Sequence, residues 1–350
     1  MKALEIRPRV QECLDEFIKE QRPLLNKVSP SLDPLADFAH EFLSGGKRLR
    51  AAFCYWGYIG AGGKDSKELI CASTALELLQ ACALVHDDVM DASDTRRGKP
   101  SIHKRFETMH QESKWLGDKK QFGGGGAILL GDLLLSWADE MLMNSGLPPQ
   151  DLFRGKKIYD LMRTELMAGQ YLDIYEQALA SESVERSLKV ARYKSGKYTI
   201  ERPLHFGAAL GGAAESLMKT FSDYGLPLGE AFQLRDDVLG IFGNPDETGK
   251  PAGDDLREGK RTVLLAKTMA LADAKSKAEL NRALGNQDLT EADVLHVRNI
   301  IIDSGALAEV EDLISSLTSS AHSALEYGEI DPLAKVALEQ LLTIVTQRTL

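Results

Sequence analysis

Two apolar runs, each ending in adjacent aspartates, constrain this chain more than any other feature. The first covers residues 69–85 with Glu77 as its only charge, and leads into His86-Asp87-Asp88-Val89-Met90-Asp91-Ala92-Ser93-Asp94-Thr95-Arg96-Arg97-Gly98. The second covers 226–239 and ends in Phe232-Gln233-Leu234-Arg235-Asp236-Asp237-Val238-Leu239-Gly240. Runs of this kind, with no strand-like alternation, read as buried helices. In the first, Asp87 and Asp91 are i and i+4, so both side chains leave one face about one turn apart. Asp88, Ser93 and Asp94 then mark the helix end, where short polar side chains compete for backbone hydrogen bonds. Carboxylates placed where an apolar helix surfaces suit a hard cation such as Mg2+, which takes oxygen ligands and shares them with phosphate. Arg96 and Arg97 add planar donors that fit phosphate oxygens. Either cluster alone reads as a solvated acidic helix end. Two in one chain can face each other across a pocket and hold a metal-bridged diphosphate.

The rest of the chain keeps the helical period. The spacing predicts helices over 5–25, 33–42, 48–58, 66–86, 127–144, 151–180, 184–210 and 218–242, with a kink at Gly196 and Pro203. Gly45-Gly46 breaks the chain before Lys47-Arg48-Leu49-Arg50, where Lys47 and Arg50 share a helical face and the glycines let backbone amides approach an anion. The segment 97–120 is polar with Trp115 as an anchor, 123–126 reads as a mobile glycine loop, and 243–259 is the most polar loop. Beyond Thr262 the chain is a succession of amphipathic helices without a chemical motif. The expected fold is all-α, one domain over 1–350, a single large and mostly antiparallel helix bundle.

A hydrophobic content of 43% is ample for a core, and a net charge of −10 argues against nucleic acid, which demands clustered basic surface. An anionic substrate must therefore be drawn in by local arginines, lysines and metal ions. The cysteines, Cys13, Cys54, Cys71 and Cys82, are scattered without a CxxC, so neither a disulfide framework nor a zinc site is expected. The N-terminus lacks a signal-peptide pattern, and the long apolar run 123–143 contains Asp132, Asp139 and Glu140, against a membrane span. A cytoplasmic location is expected.

With its two aspartate motifs in order, the chain resembles the trans-isoprenyl diphosphate synthases, or polyprenyl synthetases, over nearly its whole length. The resemblance implies a bundle of the isoprenoid synthase type around a central cavity, usually a homodimer. It implies head-to-tail condensation of isopentenyl diphosphate with an allylic diphosphate (dimethylallyl, geranyl or farnesyl), with three Mg2+ ions in the loaded site. Asp87, Asp91 and Asp236 would hold the metals, with Asp88 and Asp237 completing the catalytic carboxylates. Lys47, Arg50 and Arg97 would hold isopentenyl diphosphate, and Gln80 takes a position where relatives often carry a histidine. Arg96 and Lys250 would serve the allylic diphosphate, with Asp255 in its metal shell, and Lys260, also substrate-binding, would act in the closure of the loop. Phe232, Gln233 and Gln170 would border the carbocation. A Lys-Thr pair of the family matches Lys194 directly, but Lys197 keeps the assignment open. The second motif departs from the pattern, because Gly240 stands where a third Asp is usual.

For product length the same resemblance points to the helix before Asp87. Cys82 is small at the position where relatives stopping at fifteen carbons commonly carry an aromatic ring, and Ala83 is smaller still. Leu79, followed by Ala75, would form the floor. The expected product is the twenty-carbon geranylgeranyl diphosphate, with a longer polyprenyl or a farnesyl product as alternatives. A terpene cyclase would lack the Lys47/Arg50 site and the second Asp pair, and a non-catalytic subunit of a heteromeric synthase would lose the aspartates.

Overall fold

The computed structural model describes residues 3–243 and 253–347. In chain order it forms α1 (Arg7–Val28), α2 (Asp33–Leu43), α3 (Leu49–Gly60) and α4 (Lys67–Met90), then a hairpin of two-residue strands, β1 (Thr95–Arg96) and β2 (Lys99–Pro100). There follow α5 (Ile102–Glu112), α6 (Lys119–Met143), α7 (Pro149–Ala178), α8 (Val184–Val190), a π-helical segment (Ala191–Glu201), α9 (Arg202–Leu210) and α10 (Glu215–Phe242). After the short α11 (Asp254–Arg257) come α12 (Val263–Leu271), α13 (Ala274–Ala283), α14 (Glu291–Asp303), α15 (Ala306–Tyr327) and α16 (Pro332–Thr346). The fold is all-α, as the periodicity predicts.

Two helices organise it. α4 is apolar almost all round, so it is enclosed by α1, α3 and α6, with Leu69, Ala72, Leu76, Leu79 and Val85 fully buried. By length and composition this helix, rather than 123–143, is apolar enough to cross a membrane, yet 72% of its most apolar window is buried inside the protein. α10 lies between two hydrophobic clusters. Phe221, Tyr224 and Leu228 join the larger one, while Leu234, Val238 and Ile241 join a smaller one with Val263, Val294 and Val310. Each helix keeps one stripe facing a shared cavity: Glu77, Gln80, Ala83, Leu84 and Asp87 on α4, and Gln233, Asp236, Asp237 and Gly240 on α10.

Several local expectations are corrected. α4 continues past His86 to Met90, so Asp87 and Asp88 lie on the helix and only Asp91 caps it. Glycines 123–126 belong to α6 rather than to a loop. A Cβ at Gly123 would meet the His103 carbonyl oxygen at 2.5 Å, and one at Gly126 would meet the Phe106 ring at 2.8 Å, so these glycines let α5 and α6 approach closely. The predicted kink is a π-helical stretch, and Pro203 sits where that stretch passes into α9. α3 begins at Leu49 after Arg48 in the left-handed region (φ 56°), so Lys47 lies in the preceding turn and shares no helical face with Arg50.

Candidate active site

The cavity between α4 and α10 has a volume of about 840 Å³. Close approach of backbones builds its far wall. A Cβ at Gly169 on α7 would lie 2.4 Å from the Lys194 nitrogen, and one at Gly229 on α10 would lie 2.4 Å from the Gly196 carbonyl oxygen. Bare glycines therefore let the π-helical segment press between α7 and α10. That presentation brings Lys194 to Asp87 (Nζ–Oδ1 3.1 Å) and Asp173 (Nζ–Oδ2 2.6 Å). Lys197 faces elsewhere: it bonds Glu201 at 2.8 Å, stands 3.8 Å from Glu165, and does not line the cavity.

The first aspartate cluster is tied down by cations. Asp87 Oδ1 also accepts a hydrogen bond from Gln170 Nε2 at 3.0 Å, and Oδ2 stands 3.4 Å from Arg96. Burial would raise the Asp87 carboxyl, but Lys194, Lys260 and Arg96 outweigh it and hold it well below the usual range. Asp91, one turn on, has Lys260 at 3.3 Å but sits buried beside Asp87, and burial pushes it up to about 6. Asp88 is fully buried and is the main partner of Arg96, which donates through Nε at 2.8 Å and through Nη2. Thus Arg96 turns into the aspartates, and Asp88 points away from the helix end that its sequence position suggested.

α11 closes this end. Lys260 pairs with Glu258 and stands 3.8 Å from Asp255, while Ser93 donates to Glu258, joining the loop after Asp91 to the chain after α11. On α10, Gln233 donates to Asp237 at 2.7 Å, and burial holds the Asp237 carboxyl well above its ordinary range. Asp236 and Phe232 line the cavity. At Gly240 a Cβ would lie 2.1 Å from Asp255 Oδ2. The carboxylate of Asp255 thus occupies the space where a third motif aspartate would begin.

The opposite end is cationic. Lys47, Arg50 and Arg97 line it together with Gln80. Arg50 donates to Thr199 at 2.7 Å and lies 4.3 Å over the Tyr198 ring; Arg97 reaches over Gly46 to the Phe42 carbonyl at 3.4 Å. Burial, followed by the nearby Arg48, Arg96 and Arg50, lowers the Arg97 guanidinium, with Glu77 acting the other way. Among the described residues, Gln80 Oε1 and Arg50 Nε are buried without hydrogen-bond partners. Beneath them Arg48 pairs with Glu77 at 3.3 Å, both buried, and Glu77 also accepts from the Ala51 amide at 3.2 Å. This pair is absent from the sequence reading. The signal for it was Glu77 itself, a lone charge in an apolar run that demands a buried partner.

Among the proposed length-determining positions only Ala83 reaches the cavity. Cys82, Leu79 and Ala75 are fully buried, Cys82 lying 3.8 Å from His86 Nδ1. Lys250 lies outside the described residues.

Known proteins share this fold. A solved geranylgeranyl pyrophosphate synthase from Corynebacterium glutamicum, complexed with isoprenyl diphosphate and magnesium, superposes with a TM-score of 0.96 at 37% identity over 100% of both chains. Geranylgeranyl diphosphate synthase of Saccharolobus solfataricus is 32% identical over 98% of this chain and 96% of its own length. Geranylfarnesyl diphosphate synthase of Aeropyrum pernix is 30% identical over 88% and 92% respectively. Fold and sequence relatives together define a prenyltransferase acting on prenyl diphosphates. The Polyprenyl synthetase family model matches residues 33–301, and the chain belongs to that family.

Proposed function

We propose that the chain condenses isopentenyl diphosphate head to tail with dimethylallyl, geranyl or farnesyl diphosphate and releases mainly geranylgeranyl diphosphate. The observation that carries this reading is one cavity with ends of opposite charge: Asp87 and Asp236 toward one end, with Asp91 buried one turn beyond Asp87, and Lys47, Arg50 and Arg97 at the other. A diphosphate alone suits the cationic end, whereas at the carboxylate end it needs divalent ions between. Relatives named geranylgeranyl diphosphate synthase support the twenty-carbon product.

The donor set fits Mg2+. Asp87 on α4 and Asp236 on α10 offer carboxylate oxygens to one cavity from two helices. That suits an ion that keeps waters and takes its remaining ligands from substrate phosphates. On this reading Asp87, Asp91 and Asp236 hold Mg2+, three ions in the loaded site, with Asp255 behind them. When bound, the ions offset charge on the departing diphosphate.

The chain's own residues do the rest. Lys194 and Lys260, now paired with Asp87 and Asp91, turn to the allylic diphosphate oxygens. Arg96, held by Asp88, orients Asp87, and Lys197, held by Glu201, anchors the π-helical segment. Lys47, Arg50 and Arg97 orient isopentenyl diphosphate, and Gln80 supplies a neutral polar contact. Phe232, Gln233 and Gln170 border the allylic carbon without a strong base that would deprotonate a cation early. The C3–C4 double bond of isopentenyl diphosphate attacks that carbon, and the C2 proton leaves to the released diphosphate. The contacts of Glu258 with Ser93 and of Lys260 with Asp91 shield this end of the cavity from water. We place the enzyme in the cytoplasm as a homodimer.

Separate substrate ends give the test. Lys47→Ala and Arg50→Ala each remove a charge-assisted contact of about 1.5–3 kcal/mol, so KM for isopentenyl diphosphate should rise roughly ten- to a hundredfold. KM for the allylic substrate should stay within about twofold. Equal effects on both substrates overturn the two-ended assignment, and chromatography of the wild-type products tests the chain length.

A further inference from the structure

Far from the cavity, the fold brings together two cysteines that are distant in sequence. Cys13 on α1 and Cys71 on α4 meet with their sulfurs 3.2 Å apart, both as free thiols. Their surroundings differ from those of the other two cysteines. Cys54 and Cys82 are fully buried, and burial pushes each thiol up to about 12. Cys71 is half-buried and reachable by a small solute, whereas Cys13 is 9% exposed behind it. The hydrogen bond from Cys13, then the Lys67 ammonium one turn earlier on α4, hold the Cys71 thiol down to about 7 against the effect of burial. The shared hydrogen bond and burial raise Cys13 in turn. One partly exposed, acidified thiol beside one sheltered thiol is the arrangement of an attacking and a resolving cysteine.

We propose that Cys13 and Cys71 are a peroxide-sensitive thiol pair that closes into a disulfide stapling α1 to α4. The Cys71 thiolate attacks one oxygen of a hydroperoxide, the O–O bond breaks, and the released hydroxide or alkoxide takes a proton. Cys71 is then a sulfenic acid. The Cys13 sulfur attacks the Cys71 sulfur, the S–S bond forms, the S–O bond breaks, and water leaves carrying the Cys13 proton. Two thiols lose two electrons and two protons overall, and the peroxide is reduced to water, or to alcohol and water. Bond formation draws the sulfurs together by roughly one ångström, to the usual S–S length of about 2 Å. Asp87 lies sixteen residues farther along α4, about 24 Å away, so the staple acts on the fold rather than on the cavity. It closes a loop between residues 58 apart, which restricts the unfolded chain. This inference is independent of the proposed reaction.

The test treats the full-length protein with hydrogen peroxide, digests it without reduction, and maps the peptides by mass spectrometry. The expected result is a linked Cys13–Cys71 peptide pair, reversed by dithiothreitol, with a rise in the thermal midpoint of at least about 2 °C. Cys13→Ser should stop at a Cys71 sulfenic acid trapped by dimedone, and Cys71→Ser should leave Cys13 unreacted. The proposal is overturned if no Cys13–Cys71 link forms, if Cys54 or Cys82 reacts first, or if the link forms without raising the midpoint.

Discussion

Asp87 and Asp91 stand one turn apart yet titrate in opposite directions, because Lys194, Lys260 and Arg96 outweigh burial at the first, whereas at the second burial, helped by the neighbouring Asp87, outweighs Lys260 and Lys194. The Asp87 carboxyl is held low, so it stabilises the fold at all pH above its ordinary range and loses that contribution only in strong acid. The Asp91 carboxyl is raised to about 6, so its contribution is full below its ordinary value of 3.8 and is lost as pH rises through 6. In metal-free protein at pH 8, Asp91→Asn should therefore stabilise by about 1–3 kcal/mol. Asp87→Asn should destabilise, since removing a carboxylate here strands cations rather than relieving repulsion. Thermal melts from pH 4 to pH 8 read both signs, and a lower midpoint for Asp91→Asn at pH 8 contradicts the assignment. For turnover, Asp87→Asn should lose at least about a thousandfold, or roughly 4 kcal/mol of transition-state stabilisation.

Gly240 illustrates a residue whose meaning lies in its neighbour. Any Cβ there displaces the Asp255 carboxylate, but only the tip of a side chain has to move, so the fold should tolerate it. Gly240→Asp exchanges one carboxylate for another, and turnover should stay within about tenfold, while Asp255→Ala should cost more than that. Adding Gly240→Asp to Asp255→Ala should recover part of the loss. If Asp255→Ala is as active as wild type, the exchange has no functional content.

At the scale of elements, α4 is both a core helix and a cavity wall, and its register decides which residues do which. The stripe Glu77, Gln80, Ala83, Leu84, Asp87 faces the cavity, whereas Cys82, Leu79 and Ala75 are packed away. The length test therefore belongs at Ala83. Ala83→Phe should shift the main product from twenty carbons to fifteen, as seen by chromatography of the chain-length distribution, and an unchanged distribution counts against α4 as the ruler. The π-helical segment depends equally on register. Gly169→Ala would drive a methyl into the Lys194 backbone, an overpacking cost of about 1–3 kcal/mol, and should lower turnover by shifting Lys194 from Asp87.

Across the whole molecule, apolar side chains remain at the surface where α5 and α6 meet. Ile128 and Leu129 on α6 are 47% and 65% exposed, and Trp115, Leu116 and Phe122, at and just before the start of that helix, are exposed as well. A shared apolar face of this kind marks an association surface. Sedimentation should find a dimer at micromolar concentration, and Leu129→Glu should shift it toward monomer; a monomeric wild type would remove the homodimer from the reading.

The sequence by itself determined the helices and the aspartates they carry. Apolar period, glycine and proline placement, and the i, i+4 spacing of Asp87 and Asp91 are local properties that neighbours along the chain enforce. Motif resemblance supplied the chemistry expected of those positions. Only the tertiary structure decided the partners: Lys194 rather than Lys197 beside Asp87, Arg96 turned into Asp88, Asp255 over Gly240, Arg48 beneath Glu77, and Cys13 against Cys71. Each of these pairs joins residues whose meeting depends on how turns, helix lengths and bare glycines set one backbone against another. No local pattern encodes that distance, so it becomes definite only once the helices are packed.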